Sequence, residues 1–325
     1  MRNKAESLEW EGRWAPLAGL AALVGVALVV ASAFVIGGVS GDGDAELLRS
    51  AHEHSSAVTS ASVLQAVGFL LLVAPLVVLF RAAAARSLRM RYQLIGLVVA
   101  APLFLAVAAL LNGASTNDAA SEFVAGNAKP GITAKAAGED CRSELDEVGA
   151  EEFGEEFGGS GAPALRRCTE TRVADEEASN AVSDASLHDA AIGFGFGGRI
   201  GLAIALFYTC LHAMRVGLLT RFWGSLGMAL GVAALLLLVQ FSMIFFIYLG
   251  FLLLAKVPGG RPPAWAVGEA IPWPTPGEKA AASLEPTDPQ DASEPPALDN
   301  GDAADDQQSP QAGPDGERRK RKQRD

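Results

Sequence analysis

The stretch APLAGLAALVGVALVVASAFVIGG, residues 15–38, decides the class of fold. It contains no charged residue, and Ser32 is its only polar side chain. A helix needs roughly 20 apolar residues to cross a bilayer core about 30 Å thick, so this stretch predicts a transmembrane helix. The triplet at residues 31–33 has the A-x-A form of a signal-peptide cleavage site. The apolar run continues beyond it, which favours an uncleaved membrane anchor.

Further apolar runs follow along the chain. Residues 57–80, 94–111 and 190–214 each have about the length of one span, and the last of them contains a single charge, Arg199. Apolar residues surround these helices on all sides, unlike those of an amphipathic surface helix. We therefore predict an all-α, polytopic helical membrane protein with about six transmembrane helices in contact with the lipid bilayer.

The last apolar run, residues 222–255, is too long for one ordinary span. As a single helix it would measure roughly 50 Å, so it forms either one strongly tilted helix or a tight hairpin of two short helices. Gln240 and Ser242 mark the only polar spot near its middle, and no Gly or Pro lies there to signal a turn.

The placement of charge predicts the orientation. Short loops rich in Lys and Arg stay in the cytoplasm, and such residues follow the second span (Arg81, Arg86, Arg89, Arg91) and the fourth (Arg215, Arg221). Six spans also keep the terminal RRKRK inside, whereas five would carry it across. The predicted order is a cytoplasmic N-terminus (1–14), three spans (15–112), an acidic extracytoplasmic segment (113–189), three spans (190–256) and a disordered cytoplasmic tail (257–325).

The acidic extracytoplasmic segment holds 17 acidic and 6 basic residues and few large apolar ones. We expect it to be partly helical and partly disordered, because it has little with which to build a core. Cys141 and Cys168 both lie in it, on the predicted oxidising side, and we expect a disulfide between them. Two unpaired surface thiols are the alternative.

Arg199 is the one charge well inside an apolar run, and such residues are candidates for function. No Asp or Glu lies inside any predicted span to pair with it. Either its side chain extends to the headgroups at the outer end of the span, or it lines a small polar cavity with Gln65, Gln240 or Asn112.

The glycines of the fourth span, in GFGFGG at residues 193–198, match a dinucleotide-binding pattern only by accident, because no strand precedes them. They read better as a stripe of small residues on one helix face, Gly193, Gly197 and Gly201, against which another helix packs. Gly227 and Gly231 predict the same in the next helix. We find no catalytic, cofactor or metal motif, and the net charge of −11 argues against a nucleic-acid partner.

One resemblance covers about a fifth of the chain. The stretch MRVGLLTRFWGSLGMALGV (214–232) and the following VPGGRPPAWAVGEAIPWP (257–274) are similar to segments of uncharacterised multi-pass proteins of actinobacterial type. The resemblance implies a bacterial cell-membrane location and a final helical hairpin, and no activity.

The leading hypothesis is a non-enzymatic scaffold, sensor or accessory subunit that presents its acidic segment to another membrane or extracytoplasmic protein. The alternative is a small transporter or permease that uses Arg199 and the glycine-rich fourth span. A membrane enzyme ranks behind both.

Overall fold

A computed structural model describes residues 4–87, 89–129, 131–159, 161–236 and 239–273. The regular elements in these residues are all helical, which confirms the all-α class. The main helices are α1 (Lys4–Ile36), α2 (Asp44–Glu53), α3 (Ser55–Leu71), α4 (Val73–Arg86), α5 (Ile95–Val124), α6 (Ala134–Val148), α7 (Ala150–Glu156), α8 (Ala162–Asp184), α9 (His188–Arg215), α10 (Arg221–Leu235), α11 (Val239–Leu253) and α12 (Ala264–Val267).

Four helical stretches have the length and apolar composition to cross a bilayer: α1, the α3–α4 pair, α5 with the short turn before it, and α9. The α3–α4 pair follows one course with a break at Leu72. Pro75 explains the break, because proline cannot donate to the carbonyl four residues earlier, that of Leu71. The chain is thus a multi-pass integral membrane protein.

The last apolar run forms a hairpin of two shorter helices, α10 and α11, of 15 residues each. They are antiparallel, because Trp223 near the start of α10 stacks on Tyr248 near the end of α11, with ring centroids 3.7 Å apart. Gly227, one turn further along α10, faces Phe245, one turn back along α11. The run therefore does not form a single tilted helix. At about 22 Å, each helix is shorter than the bilayer core.

One end of the bundle collects its basic residues, and we call it the basic end. Arg86, at the end of α4, donates to both carboxylate oxygens of Glu11 in α1 at 2.6 and 2.8 Å and to the carbonyl of Ala264 in α12. The side chains of this pair are 0% and 6% exposed. The contact ties α1, α4 and α12 together.

The start of the predicted disordered tail is folded against the basic end. The indole nitrogens of Trp265 and Trp273 donate to the carbonyls of Leu218 and Leu219, in the turn between α9 and α10. Arg261 donates to carbonyls at the end of α11; burial lowers its pKa, and Glu11 opposes that shift. Both ends of the hairpin therefore lie at the basic end. The rest of the predicted tail, residues 274–325, lies outside the described residues.

Glycines let the spanning helices approach each other closely. A Cβ on Gly25 of α1 would lie 2.9 Å from the carbonyl oxygen of Gly68 in α3, and one on Gly19 would lie 2.9 Å from that of Gly250 in α11. Close backbone contact of this kind replaces the hydrophobic driving force that is missing between helices in lipid.

The described part of the acidic segment is largely helical, with more regular structure than we expected. One core, where α2, the last turns of α5 and α8 meet, is built mainly from alanines together with a few larger residues such as Leu48 and Phe123. The alanines buried there include Ala45, Ala51, Ala119, Ala120, Ala178 and Ala181. The carboxylate of Asp175 in α8 accepts the backbone N–H of Ala45 at the start of α2. Alanine lets helices pack tightly without large side chains, which is why the segment needs few of them.

The predicted disulfide between Cys141 in α6 and Cys168 in α8 is present, and both residues are fully buried. Phe153 of α7 and Ala164 pack on it as a second small core. Cys210, in α9, is a buried free thiol.

Candidate functional site: a polar cleft in the helix bundle

A cleft of about 280 Å³ lies among α3, α5, α9 and the tip of the α10–α11 hairpin. Four polar side chains line it, each from a different element: Gln65 (α3), Asn112 (α5), Arg199 (α9) and Gln240 (α11). The rest of its lining is apolar and includes Phe69, Leu105 and Phe196. Of the two positions that the sequence left open for Arg199, the structure places it on this cleft.

The four side chains reach the cleft from the stretches where their helices come together. Gln65 lies one turn before Gly68, where α3 packs on α1, and Asn112 precedes Gly113, whose absent side chain makes room for Ser62 of α3. Gln240 is the second residue of α11, so the hairpin turn brings it to the depth of Arg199. Residues 237–238, which connect the two helices, are outside the described residues.

Arg199 differs sharply from Arg86, whose side chain is buried. Arg86 has a carboxylate and two backbone carbonyls as acceptors. The guanidinium of Arg199 is half-buried and has no hydrogen-bond or ion-pair partner among the residues that the structure describes. Within the same residues, the side-chain amides of Gln65, Asn112 and Gln240 also lack partners. Polar groups at membrane depth are costly unless something satisfies them, so this cleft is suited to receive a polar group from outside the chain.

The described lining of the cleft offers one positive charge and several hydrogen-bond donors. Its described lining contains one cation, three carboxamides and no Asp, Glu, His, Cys, Ser or Thr. Such a set offers no nucleophile and no group that could exchange a proton near neutral pH. It offers many N–H donors. Even if one carboxamide points away from the cleft, the guanidinium and two carboxamides remain as donors. The electrostatic preference is for an anion.

The predicted glycine stripes are placed unevenly. A Cβ on Gly201 would lie 2.9 Å from Ala101 of α5, one on Gly197 would make ordinary contact with Phe104, and one on Gly193 would meet nothing within 4 Å. Gly198, which lies outside the predicted stripe, is the tighter contact, 2.8 Å from Leu105. The closest glycine contacts of α9 with α5 are therefore those of Gly201, which belongs to the predicted stripe, and Gly198, which does not.

The glycines of α10 face two different neighbouring helices. Gly227 faces Cys210 of α9 and Phe245 of α11, and Gly231 would place a Cβ 3.0 Å from the carbonyl of Ala203. These contacts hold the hairpin against α9, between the cleft and the basic end.

A larger groove, of about 520 Å³, lies between α2 and α8. It is at the end of the bundle opposite the basic end, which we call the acidic end. Its acids include Asp42, Glu46, Glu53 and Asp175, with Arg49 among them. Glu46 and Asp175 accept backbone N–H groups at or before the start of α2, so part of this charge serves to begin that helix. The groove belongs to a solvated acidic surface.

Sequence reasoning named the polar lining of the cleft but missed its apolar wall. Phe69 and Phe196 read as ordinary residues of apolar spans, and no pattern distinguishes them from their neighbours. The buried Glu11–Arg86 pair was missed as well, because Arg86 reads as a loop charge and Glu11 as part of a cytoplasmic N-terminus.

No family model, curated protein or solved structure matches the chain.

Proposed function

We propose that this is a non-enzymatic membrane protein, a scaffold or accessory subunit, that presents its acidic segment to a protein partner with a basic surface. The observation that carries the proposal is the direct helical connection between the segment and the spans. α5 runs unbroken from the basic half of the bundle into the small-residue core of the segment, and only three residues separate α8 from α9.

The distribution of charge supports the same reading. The 17 acidic and 6 basic residues of segment 113–189 leave 20 of each in the rest of the chain, so the segment carries the whole formal net charge. Many of its acids are exposed, among them Glu147, Glu155 and Glu156. A concentrated field of one sign speeds association with a partner of opposite sign and discriminates against others.

The orientation that we propose places this segment outside the cell. It rests on the basic residues that collect at the opposite end of the bundle and on the disulfide, which is typical of oxidising compartments. The resemblance to actinobacterial multi-pass proteins supports a bacterial cell membrane.

The proposal is tested by cross-linking in intact cells. A photo-reactive residue at the exposed position Ser143 is expected to give a discrete protein adduct whose yield falls with added salt. The yield is also expected to fall in the variant Glu147→Gln/Glu155→Gln/Glu156→Gln. The matched control, Glu6→Gln/Glu9→Gln, removes charge at the basic end and should leave the adduct unchanged. An adduct that is insensitive to both salt and the triple substitution, or no adduct at all, contradicts the proposal.

A second candidate function, a small transporter or permease, is favoured by the polar cleft. In proteoliposomes, transport predicts a protein-dependent flux of a small anion (chloride, acetate or phosphate) or of a fluorescent anionic lipid. The Arg199→Gln variant should lose that flux. Equal fluxes in proteoliposomes with wild-type protein, Arg199→Gln and no protein would exclude transport of these probes.

A further inference from the structure

We propose that the polar cleft is a binding site for the anionic headgroup of a lipid or lipid-like amphiphile, which enters sideways from the leaflet at the acidic end. This inference concerns the cleft alone. It narrows the second candidate function to one class of ligand and does not depend on the presentation of the acidic segment.

The hairpin is too short to lie along the whole length of α9. From Arg215 at the basic end, α9 takes 16 residues, about 24 Å, to reach Arg199, and it continues for roughly 16 Å beyond. Each helix of the hairpin is about 22 Å long. The hairpin therefore ends at the depth of Arg199, and beyond its tip no described element of the chain covers this side of α9. The cleft lies in that gap.

Large apolar side chains near this gap are exposed. Leu236 at the hairpin tip, Ile192 and Phe196 are 69%, 57% and 58% exposed. Ile192 and Phe196 line the cleft, Leu236 lies four residues before Gln240, and the exposed parts of all three would face acyl chains in a bilayer. A ligand that arrives from this side needs an apolar part that lies along them. A free inorganic anion would have to cross the same apolar border without its hydration shell.

The cleft also carries a positive charge. Arg199 and three carboxamides line the cleft together, and the described residues provide neither a carboxylate in the lining nor a hydrogen-bond partner for any of the four. A guanidinium binds phosphate or carboxylate oxygens through two parallel N–H groups, and carboxamide NH₂ groups donate to the remaining oxygens. An amphiphile with a phosphate headgroup meets both requirements of the cleft. Its phosphate binds the polar side chains, and its apolar tail lies along the exposed apolar ones.

The test measures binding to the full-length protein in neutral detergent micelles, by native mass spectrometry and thermal shift. The first probe is phosphatidylglycerol, with phosphatidylcholine as the neutral lipid, and the second is inorganic phosphate. We expect one phosphatidylglycerol to be retained and to raise the melting temperature, with no effect of inorganic phosphate. Arg199→Gln should weaken this binding about tenfold or more, as loss of a charge-assisted contact does.

Two further variants keep the test decisive if Arg199→Gln folds poorly. Gln240→Leu, at an exposed position on the hairpin tip, should weaken binding by a smaller factor without affecting folding. Lys256→Gln removes an exposed cation at the basic end and is the matched control, which should retain the bound lipid.

The outcomes separate the two sources of anion. If inorganic phosphate stabilises the wild type as strongly as the lipid, and Arg199→Gln abolishes both effects, the cleft takes free anions and lateral entry is wrong. If all variants bind phosphatidylglycerol as the wild type does, the cleft is no anion site. Neither result bears on the cross-linking at Ser143, so the two proposals fail independently.

Discussion

Replacement of Glu11 by glutamine should strongly destabilise the protein. The change removes the carboxylate from a pair whose side chains are 6% and 0% exposed, and leaves the guanidinium of Arg86 buried without a counter-charge. Loss of one partner from a buried ion pair typically costs about 3–5 kcal/mol. Arg86 keeps two backbone carbonyl acceptors, and glutamine can still accept one hydrogen bond, so we expect a value near 3 kcal/mol.

The assay is equilibrium unfolding in mixed micelles of dodecyl maltoside and sodium dodecyl sulfate, followed by circular dichroism. The exposed Glu9–Arg13 pair, with a separation of 3.7 Å, provides the control. Glu9→Gln should cost at most about 1 kcal/mol. The double variant Glu11→Gln/Arg86→Gln should recover part of the loss, because it leaves no unpaired charge. A Glu11→Gln variant as stable as Glu9→Gln would refute the role of this pair as the tie between α1, α4 and α12.

Other variants test separate parts of the fold. Reduction of the Cys141–Cys168 disulfide, which joins residues 27 apart, should destabilise α6–α8 by about 3.5 kcal/mol in the chain-entropy model, seen as faster hydrogen exchange there and unchanged exchange in α9. Gly68→Ala should destabilise the bundle by about 1–3 kcal/mol through its contact with α1, whereas Gly193→Ala should be neutral or slightly stabilising in the same unfolding assay. Trp265→Phe should cost about 1 kcal/mol, since it loses the indole hydrogen bond to a backbone carbonyl before α10.

The membrane class and the long spans could be predicted because length and apolar composition decide them almost alone. The hairpin could only be named as one of two alternatives, since residues 236–242 contain no Gly or Pro. What decides it is tertiary: Trp223 stacks on Tyr248, and the indoles of the following segment fasten both ends of the hairpin to one side.

The acidic segment shows where composition misleads. A scarcity of large apolar residues predicts weak folding, but Ala119 and Ala181 are at most 1% exposed in a core built from close helix contacts. The disulfide was predictable from two cysteines on one side of the membrane. The partner of each helix face was not, and for that reason the close contact of Gly198 with α5 was missed.

The polar lining of the cleft could be predicted from the sequence because polar residues are easily recognised in apolar spans. That Gln65, Asn112, Arg199 and Gln240 meet depends on the depth to which the hairpin reaches, which follows from the break before Val239. Neither residue spacing nor composition carries that information.

The most direct test of the proposed membrane topology is the labelling of single introduced cysteines in intact cells with a membrane-impermeant maleimide. The background carries Cys210→Ala and keeps the disulfide. Suitable positions are Ser143 in the acidic segment, Ala85 near the end of α4 and Ala270 after the hairpin, all exposed. We predict labelling at Ser143 alone, and at the other two positions only after the cells are permeabilised. Labelling of Ala270 together with Ser143 would mean that the last apolar run crosses once, and labelling of Ala85 in intact cells would reverse the orientation and remove the acidic segment from the outer surface.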